Sequence, residues 1–294
     1  MSALGVSTTR GHVSVGSTAL GGWLDPERGE FTMRPNAAAA VARYPSVDRS
    51  TRPQLSLVDP RLRQNRLLQA LPDDAWARIS PQLQLQEFLP GTVLEDPGTT
   101  PTHVYFPTDA IVSLLHVTND GAASEVARVG FEGLVGISLF LGGDGTSSRA
   151  VVQGAGHDFR IRSDVMKAVF EGSGPVQRLL LRYTQSLLTQ MAQTAVCNRR
   201  HSLQQQLCRY LLLSLDRMPG NVLTTTHELI ARTLGVRREG VTGAVGKLQR
   251  MGTIRNSRGR ITVLDREALE EHVCECYAAV MTESARLLPD GTAT

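Results

Sequence analysis

At 294 residues and 31.9 kDa the chain has room for two packed domains, which excludes a single small module. Its 41% hydrophobic and 20% charged residues are the proportions of a globular protein, not a disordered or fibrous one. No apolar run approaches the roughly 18 to 20 residues of a bilayer span. The alternating Gly, Ser, Thr and Val of residues 3–22 lack a signal-peptide h-region, so a cytoplasmic protein with no membrane partner is expected. The net charge is only +3, but it is unevenly placed. Asn198 to Arg260 holds twelve Lys and Arg against Asp216, Glu228 and Glu239, a net +9 against −6 for the remainder. Such concentration suits a polyanionic partner, double-stranded DNA first. Four cysteines, Cys197, Cys208, Cys274 and Cys276, make no disulfide framework for a chain of this size.

Residues 1–58 are rich in Gly, Ser, Thr, Pro and Ala without lasting apolar period, and are expected to form a flexible tail. The stretch Arg66 to Ile79 predicts two short helices with Asp73 near the second N-cap, stopped by Pro81. Short apolar or alternating runs follow at Leu83–Leu89, His103–Phe106, Ile111–Val117 and Ala150–Gln153. They are separated by Pro90-Gly91, Asp96-Pro97-Gly98, Asn119-Asp120-Gly121 and Gly142 to Gly145, and predict a β-sandwich or jelly-roll barrel over 59–172.

Pro175 opens a long helical pattern, assigned to 173–200. Val176, Leu180, Tyr183, Leu187, Gln190 and Thr194 step by four and three, one stripe on one face. That stripe is expected to pair with a second copy of the chain. A second helix, Ser202 to Asp216, sets Leu203, Leu207, Tyr210 and Leu211 on one face before Pro219-Gly220-Asn221.

The stretch Thr226 to Gly252 has the form of a helix-turn-helix. Thr226 caps the first helix, Leu229, Ile230 and Leu234 are spaced for a core, Ala231 permits a close crossing and Gly235 supplies the turn. Val241, Val245 and Leu248 hold down the second helix, so that Arg237, Arg238, Glu239 and Thr242 project from its first turns, with Lys247 farther along. Arg pairs with a guanine edge and Glu with a cytosine amino group. Two β runs around Ser257-Arg258-Gly259-Arg260 predict a basic wing, with Arg258 and Arg260 as further DNA contacts. The winged domain is assigned to 201–280 and a C-terminal tail to 281–294.

With these parts in place, the sequence from about Arg66 to Tyr277 resembles the Crp/Fnr family of bacterial transcription regulators. The most specific matches are Cys197-Asn198-Arg199-Arg200-His201, the Leu229 to Met251 helix pair and Glu132-Gly133-Leu134-Val135-Gly136. The resemblance implies an α+β fold with an N-terminal β-jelly-roll of cyclic-nucleotide-binding type, a long dimerisation helix and a C-terminal winged helix-turn-helix. It further implies a homodimer on an inverted-repeat operator, with RNA polymerase and a small-molecule effector as further partners. Arg238 and Glu239 match base-reading positions, whereas Gly243 stands where many members carry another Arg. In the effector-pocket cassette, Gly136 is followed by Ile137 instead of a ribose-binding Glu, and the phosphate-binding pair reads Ser148-Arg149. A one-residue slip turns a strand side chain to the opposite face, so cyclic AMP is not the expected ligand. No metal or other cofactor is expected, because Cys274 and Cys276 lack the partner spacing of a zinc site. Two other readings remain: a redox-responsive regulator using Cys274 and Cys276, and a metal-dependent barrel enzyme with an accessory nucleic-acid module.

Overall fold

The computed structural model describes residues 22–24, 31–33, 60–119, 121–143 and 145–288. The chain divides into two units, Met1–Arg43 and Tyr44–Thr294. In the first, β1 (Gly22–Leu24) pairs antiparallel with β2 (Phe31–Met33), so the tail expected over 1–58 includes a strand pair; the rest of that expectation lies outside the described residues.

The described part of the second unit opens with a 3-10 helix (Pro60–Gln64), followed by α1 (Arg66–Gln69) and α2 (Asp73–Ile79). Asn65 holds this corner together. Its side-chain oxygen accepts from Leu67 N and Leu68 N, both at 3.1 Å, and its amide donates to Pro107 O (2.9 Å) and Gly133 O (2.8 Å). One buried side chain therefore caps a helix and bonds two backbone carbonyls of the barrel.

The barrel consists of β3 (Gln84–Phe88), β4 (Val93–Glu95), β5 (His103–Pro107), β6 (Ile111–Val117), β7 (Ala123–Val129), β8 (Arg149–Gly154) and β9 (Gly156–Arg162). They form antiparallel sheets of order β3-β9-β5 and β4-β8-β6-β7. The runs expected from the sequence are β3, β5, β6 and β8. Val112, Leu114, Ala127, Val129, Ala150 and Val152 pack into one apolar cluster together with Phe88 and Val135. Gly121, at φ 84°, turns the β6–β7 hairpin where positive φ was expected; Asp120 lies outside the described residues.

After α3 (Ser163–Gly172), α4 runs from Gly174 to Arg200, 27 residues, or about 40 Å. Here the structure corrects the expected dimer seam. Val176, Leu180, Tyr183 and Leu187 are buried against the chain's own barrel. The Tyr183 hydroxyl donates to Leu134 O at 2.8 Å. A Cβ on Gly133 would stand 2.5 Å from the Tyr183 ring, so glycine is needed where ring and loop meet. Gln190 exchanges two hydrogen bonds with the backbone of Arg128, 2.9 and 3.0 Å. Thr194 donates to Gln190 O and accepts from Arg209. The stripe is real, but its partner is intramolecular, because the barrel presents a matching apolar face and a polar backbone edge to it.

The winged domain follows as α5 (Leu203–Leu215), β10 (Val222–Thr224), α6 (His227–Leu234), α7 (Arg238–Arg250), β11 (Ile254–Ser257), β12 (Arg260–Val263) and α8 (Arg266–His272). Ser202 and Gln205 form a capping box at the start of α5. α5 is buried all round from Gln206 to Ser214, not on one face alone, because it lies between the helix-turn-helix core and the barrel. The final helix, α9 (Glu275–Leu287), corrects the expected tail at 281–294. It packs along α4, with Leu287 and Leu288 buried and Gln185 Nε2 donating to Glu283 Oε1 at 3.2 Å. Residues 289–294 lie outside the described residues.

Replacing Asn65 by Ala removes a cap and two buried bonds to the barrel. The expected loss is about 2 to 4 kcal/mol, read as a lower urea midpoint at unchanged m-value. A midpoint equal to that of the native chain would show that the corner is held by its apolar contacts alone.

Candidate nucleic-acid interface

The helix-turn-helix is built as the sequence suggests. Thr226 accepts from Leu229 N at 3.1 Å to cap α6, and Gly235 ends the helix at φ 66°, ψ 34°, a left-handed conformation that glycine adopts without steric cost. Val236 N then donates back to Ala231 O. Ile230 and Ala231 meet Val241, Val245 and Leu248 in one buried cluster closed by Ile254, Ile261 and Val263 of the wing. With that face committed, Arg237, Arg238, Glu239, Thr242, Gly243 and Lys247 are exposed.

The wing is a three-stranded sheet of order β10-β12-β11. β10 escaped the sequence reading because its three residues are too few to show alternation. The β11–β12 hairpin turns at Arg258-Gly259, with Gly259 at φ 73° and Ser257 paired to Arg260. Arg258 and Arg260 are exposed. An open cleft is lined by Thr226, Glu228 and Arg238 on one side and by Asn256 and Arg258 on the other. The structure thus brings together the helix cap, the first turn of α7 and the wing tip. Thr242 is already engaged: its hydroxyl donates to Arg238 O (3.1 Å) and lies 3.0 Å from His227 Nδ1. It holds the first turn of α7 in place. Arg238 has its side chain free to reach outward, next to Glu239.

The interface is anchored to the barrel by a buried cation. Arg128 of β7, 2% exposed, pairs with Glu125 at 3.0 Å, donates to Tyr210 O and to the Ser214 hydroxyl, and lies 4.2 Å from the Tyr210 ring centroid. Beside it Arg217 of the segment after α5 bonds Glu132 at 2.7 Å. Sequence reasoning missed both, since neither shows a local period.

The four residues expected at an effector pocket fall at two places in the barrel. Gly136 is buried at φ 109° before a 3-10 turn, and Ile137 begins that turn and packs against the apolar clusters. Ser148 is half-buried, and Arg149 is engaged with Asp96 at 2.5 Å. Two carboxyls stand out in the barrel instead. Asp158 is buried with neither oxygen bonded, and burial pushes its carboxyl well above the usual range. Burial also pushes Glu95 up from 4.5 to about 7.

The cysteines were read as isolated in sequence. The structure gathers Cys274 and Cys276 with Cys197 and His201. The i, i+4 spacing of Cys197 and His201 on a helix was the available signal. Burial holds the Cys197 and Cys276 thiols high, at about 12 and about 11, which opposes the thiolate reactivity that a redox sensor of these residues alone would need. His103 and His116 lie apart from this group: His103 bonds Thr102 Oγ1 at 3.0 Å and His116 is exposed.

Comparison with known proteins agrees with this construction. Residues 205–272 match the model of the Crp-like helix-turn-helix domain. Among solved structures, the chain is similar to a transcriptional regulator assigned to the Crp/Fnr family from Eubacterium rectale, at 21% identity and TM-score 0.57, over 71% of this chain and 98% of that one. It is also similar to FixK2 from Bradyrhizobium japonicum, at 15% identity and TM-score 0.56, over 65% and 98%. A CRP-family regulator from Thermus thermophilus aligns at 20% identity and TM-score 0.53, over 64% and 95%. No curated protein matches the chain. Likeness at these identities establishes the fold. No helix of the described residues is long and apolar enough to cross a membrane.

Because the folded state favours the neutral form of Glu95, its contribution is present in full below pH 4.5 and is lost as pH rises through about 7. The loss is roughly 3 kcal/mol. Glu95→Gln is therefore expected to flatten the fall in urea midpoint between these pH values and to raise the midpoint at pH 8. A variant whose pH profile overlays that of the native chain would exclude Glu95 as the titrating group.

Proposed function

The chain has the Crp/Fnr fold and carries a Crp-like helix-turn-helix domain at 205–272, and on that premise we propose that it is a homodimeric, sequence-specific DNA-binding transcription regulator. The observation that carries the reading is the convergence of the exposed first turn of α7 with the wing tip in one basic cleft. Arg238 and Glu239 supply base contacts from the major groove, and Arg258 and Arg260 meet phosphates. RNA polymerase is the partner through which such a protein acts on transcription.

The dimer seam is the face of α4 that the barrel leaves open. Leu181, Leu188 and Val196 are 52%, 60% and 48% exposed, and Leu181, Gln185, Leu188, Ala192, Ala195 and Arg199 step by four and three along that face. This spacing suits a second copy of the same helix, and small Ala192 and Ala195 permit close approach. Two-fold symmetry then calls for an inverted-repeat operator with half-sites about one helical turn apart. Ile137 packed against the apolar clusters and Arg149 held by Asp96 support an effector other than cyclic AMP, or none.

Leu181→Asp with Leu188→Asp is expected to give a folded monomer in sedimentation at micromolar concentration, because both side chains face solvent in the single chain. Dimers persisting in the double variant would place the seam elsewhere.

Replacing Arg238 by Ala is expected to cost about 1 to 3 kcal/mol on the preferred operator and much less on random duplex. Arg258→Ala is expected to weaken both duplexes alike and to lower the salt slope by about 1. Equal losses on the two duplexes for Arg238→Ala would remove it from base reading, and an unchanged salt slope would remove Arg258 from the phosphate contacts.

A further inference from the structure

Four metal-ligating side chains from two distant parts of the sequence meet where the winged domain leaves α4. Cys197 lies in the last turn of α4 and His201 caps that helix, while Cys274 caps α9 and Cys276 lies in its first turn. Their three sulfurs and one imidazole nitrogen all lie within 4.8 Å of one another. Cys197 Sγ and Cys274 Sγ are 3.6 Å apart, and Cys276 Sγ is 3.6 Å from His201 Nδ1.

These spacings have a simple geometric meaning. Around a tetrahedral zinc ion, bonds of about 2.3 Å to sulfur and about 2.0 Å to nitrogen give sulfur–sulfur edges near 3.8 Å and sulfur–nitrogen edges near 3.5 Å. An iron–sulfur cluster places its thiolates on different irons, which spreads the ligand sulfurs beyond this cluster's reach. We propose that Cys197, His201, Cys274 and Cys276 bind one zinc ion in a closed structural site of three thiolates and one imidazole.

Two further observations around the cluster support this assignment. His201 Nε2 is 3.2 Å from Glu275 Oε1, the carboxylate contact that orients a ligating imidazole and leaves Nδ1 free for the metal. Arg209 is 8% exposed, its Nε has no hydrogen-bond partner, and Cys197, Cys276 and Cys274 are among the groups whose charge it feels. Glu125 is the carboxylate whose charge reaches this guanidinium, from outside the cluster. Three thiolates around a divalent ion carry a net charge of about −1 and would add to it. On binding, each cysteine releases one proton to solvent, and the metal takes three thiolate lone pairs and that of the neutral imidazole; nothing is oxidised or reduced.

The ion would join the entry of the winged domain to its exit. Residues 202–273 lie between the two ligand pairs, so one metal centre ties both ends of the DNA-binding module to α4. The site is independent of the DNA-binding proposal, and metal content reports on it whether or not an operator is found.

The test uses the full chain purified under reducing conditions without chelator. About one zinc per chain by plasma mass spectrometry is expected. Stripped protein titrated with cobalt(II) is expected to develop the intense visible absorption of a tetrahedral thiolate site, saturating near one equivalent. Cys276→Ser is expected to lose both signals. Cys208→Ala, at a buried cysteine outside the cluster, is expected to keep them. If Cys276→Ser fails to fold, the cobalt titration of the native chain decides by itself. Absence of both stoichiometric zinc and the cobalt spectrum overturns the assignment. So does iron recovered with acid-labile sulfide, or a Cys197–Cys274 disulfide in the protein as purified, before any metal is stripped.

Discussion

The arrangement of the two domains depends on one buried guanidinium. Arg128 leaves water almost completely, and an unpaired cation in that position would cost several kcal/mol. It is stable there because partners from both domains surround it: Glu125 from its own strand, and the Tyr210 ring, Tyr210 carbonyl and Ser214 hydroxyl from α5. Moving α5 away would strand the charge. The barrel and the DNA-binding domain are thus held together by an interaction that tolerates little displacement, since low local dielectric strengthens each bond and penalises each vacancy.

α4 carries this constraint along the molecule. Its inner stripe is occupied by the barrel, with Gln190 bonded to the backbone of the same Arg128, and α9 lies along its flank. What remains is a narrow exposed line of leucines and alanines. Two faces of this helix thus serve two neighbours within the chain, and the third is left to solvent. The turn between the two helices of the helix-turn-helix also reaches the barrel: a Cβ on Gly235 would stand 2.7 Å from the Ser124 hydroxyl. The orientation of α7 is therefore set by β7 as well as by the hinge at His201.

The helix-turn-helix was legible because its determinants are local. Thr226, Gly235 and the Val241, Val245, Leu248 spacing each act within one or two turns. The barrel was legible only where its strands alternate in the ordinary sense. β7 and β9 bury Arg128 and Asp158 among their inward residues, so polar letters fall where apolar ones are expected and the alternation disappears. α4 shows a different limit. Its sequence contains two stripes of the same spacing, and periodicity reports that a face is covered without saying by what. The cysteine and histidine cluster shows a third limit: Cys197 and His201 carry a local spacing of four, but the whole winged domain separates them from Cys274 and Cys276 and no local pattern links the two pairs.

The fit between Gly133 and Tyr183 has a mechanical consequence. With no clearance for even a methyl group between ring and loop, and with the ring's hydroxyl bonded to the neighbouring Leu134 carbonyl, the 130–136 segment and α4 mesh like a tooth in a gear. α4 cannot turn about its own axis unless that segment retreats first. Torque applied to the helix through α5 is then delivered to the barrel at this loop, and any shift of the loop is returned to the helix with almost no slack.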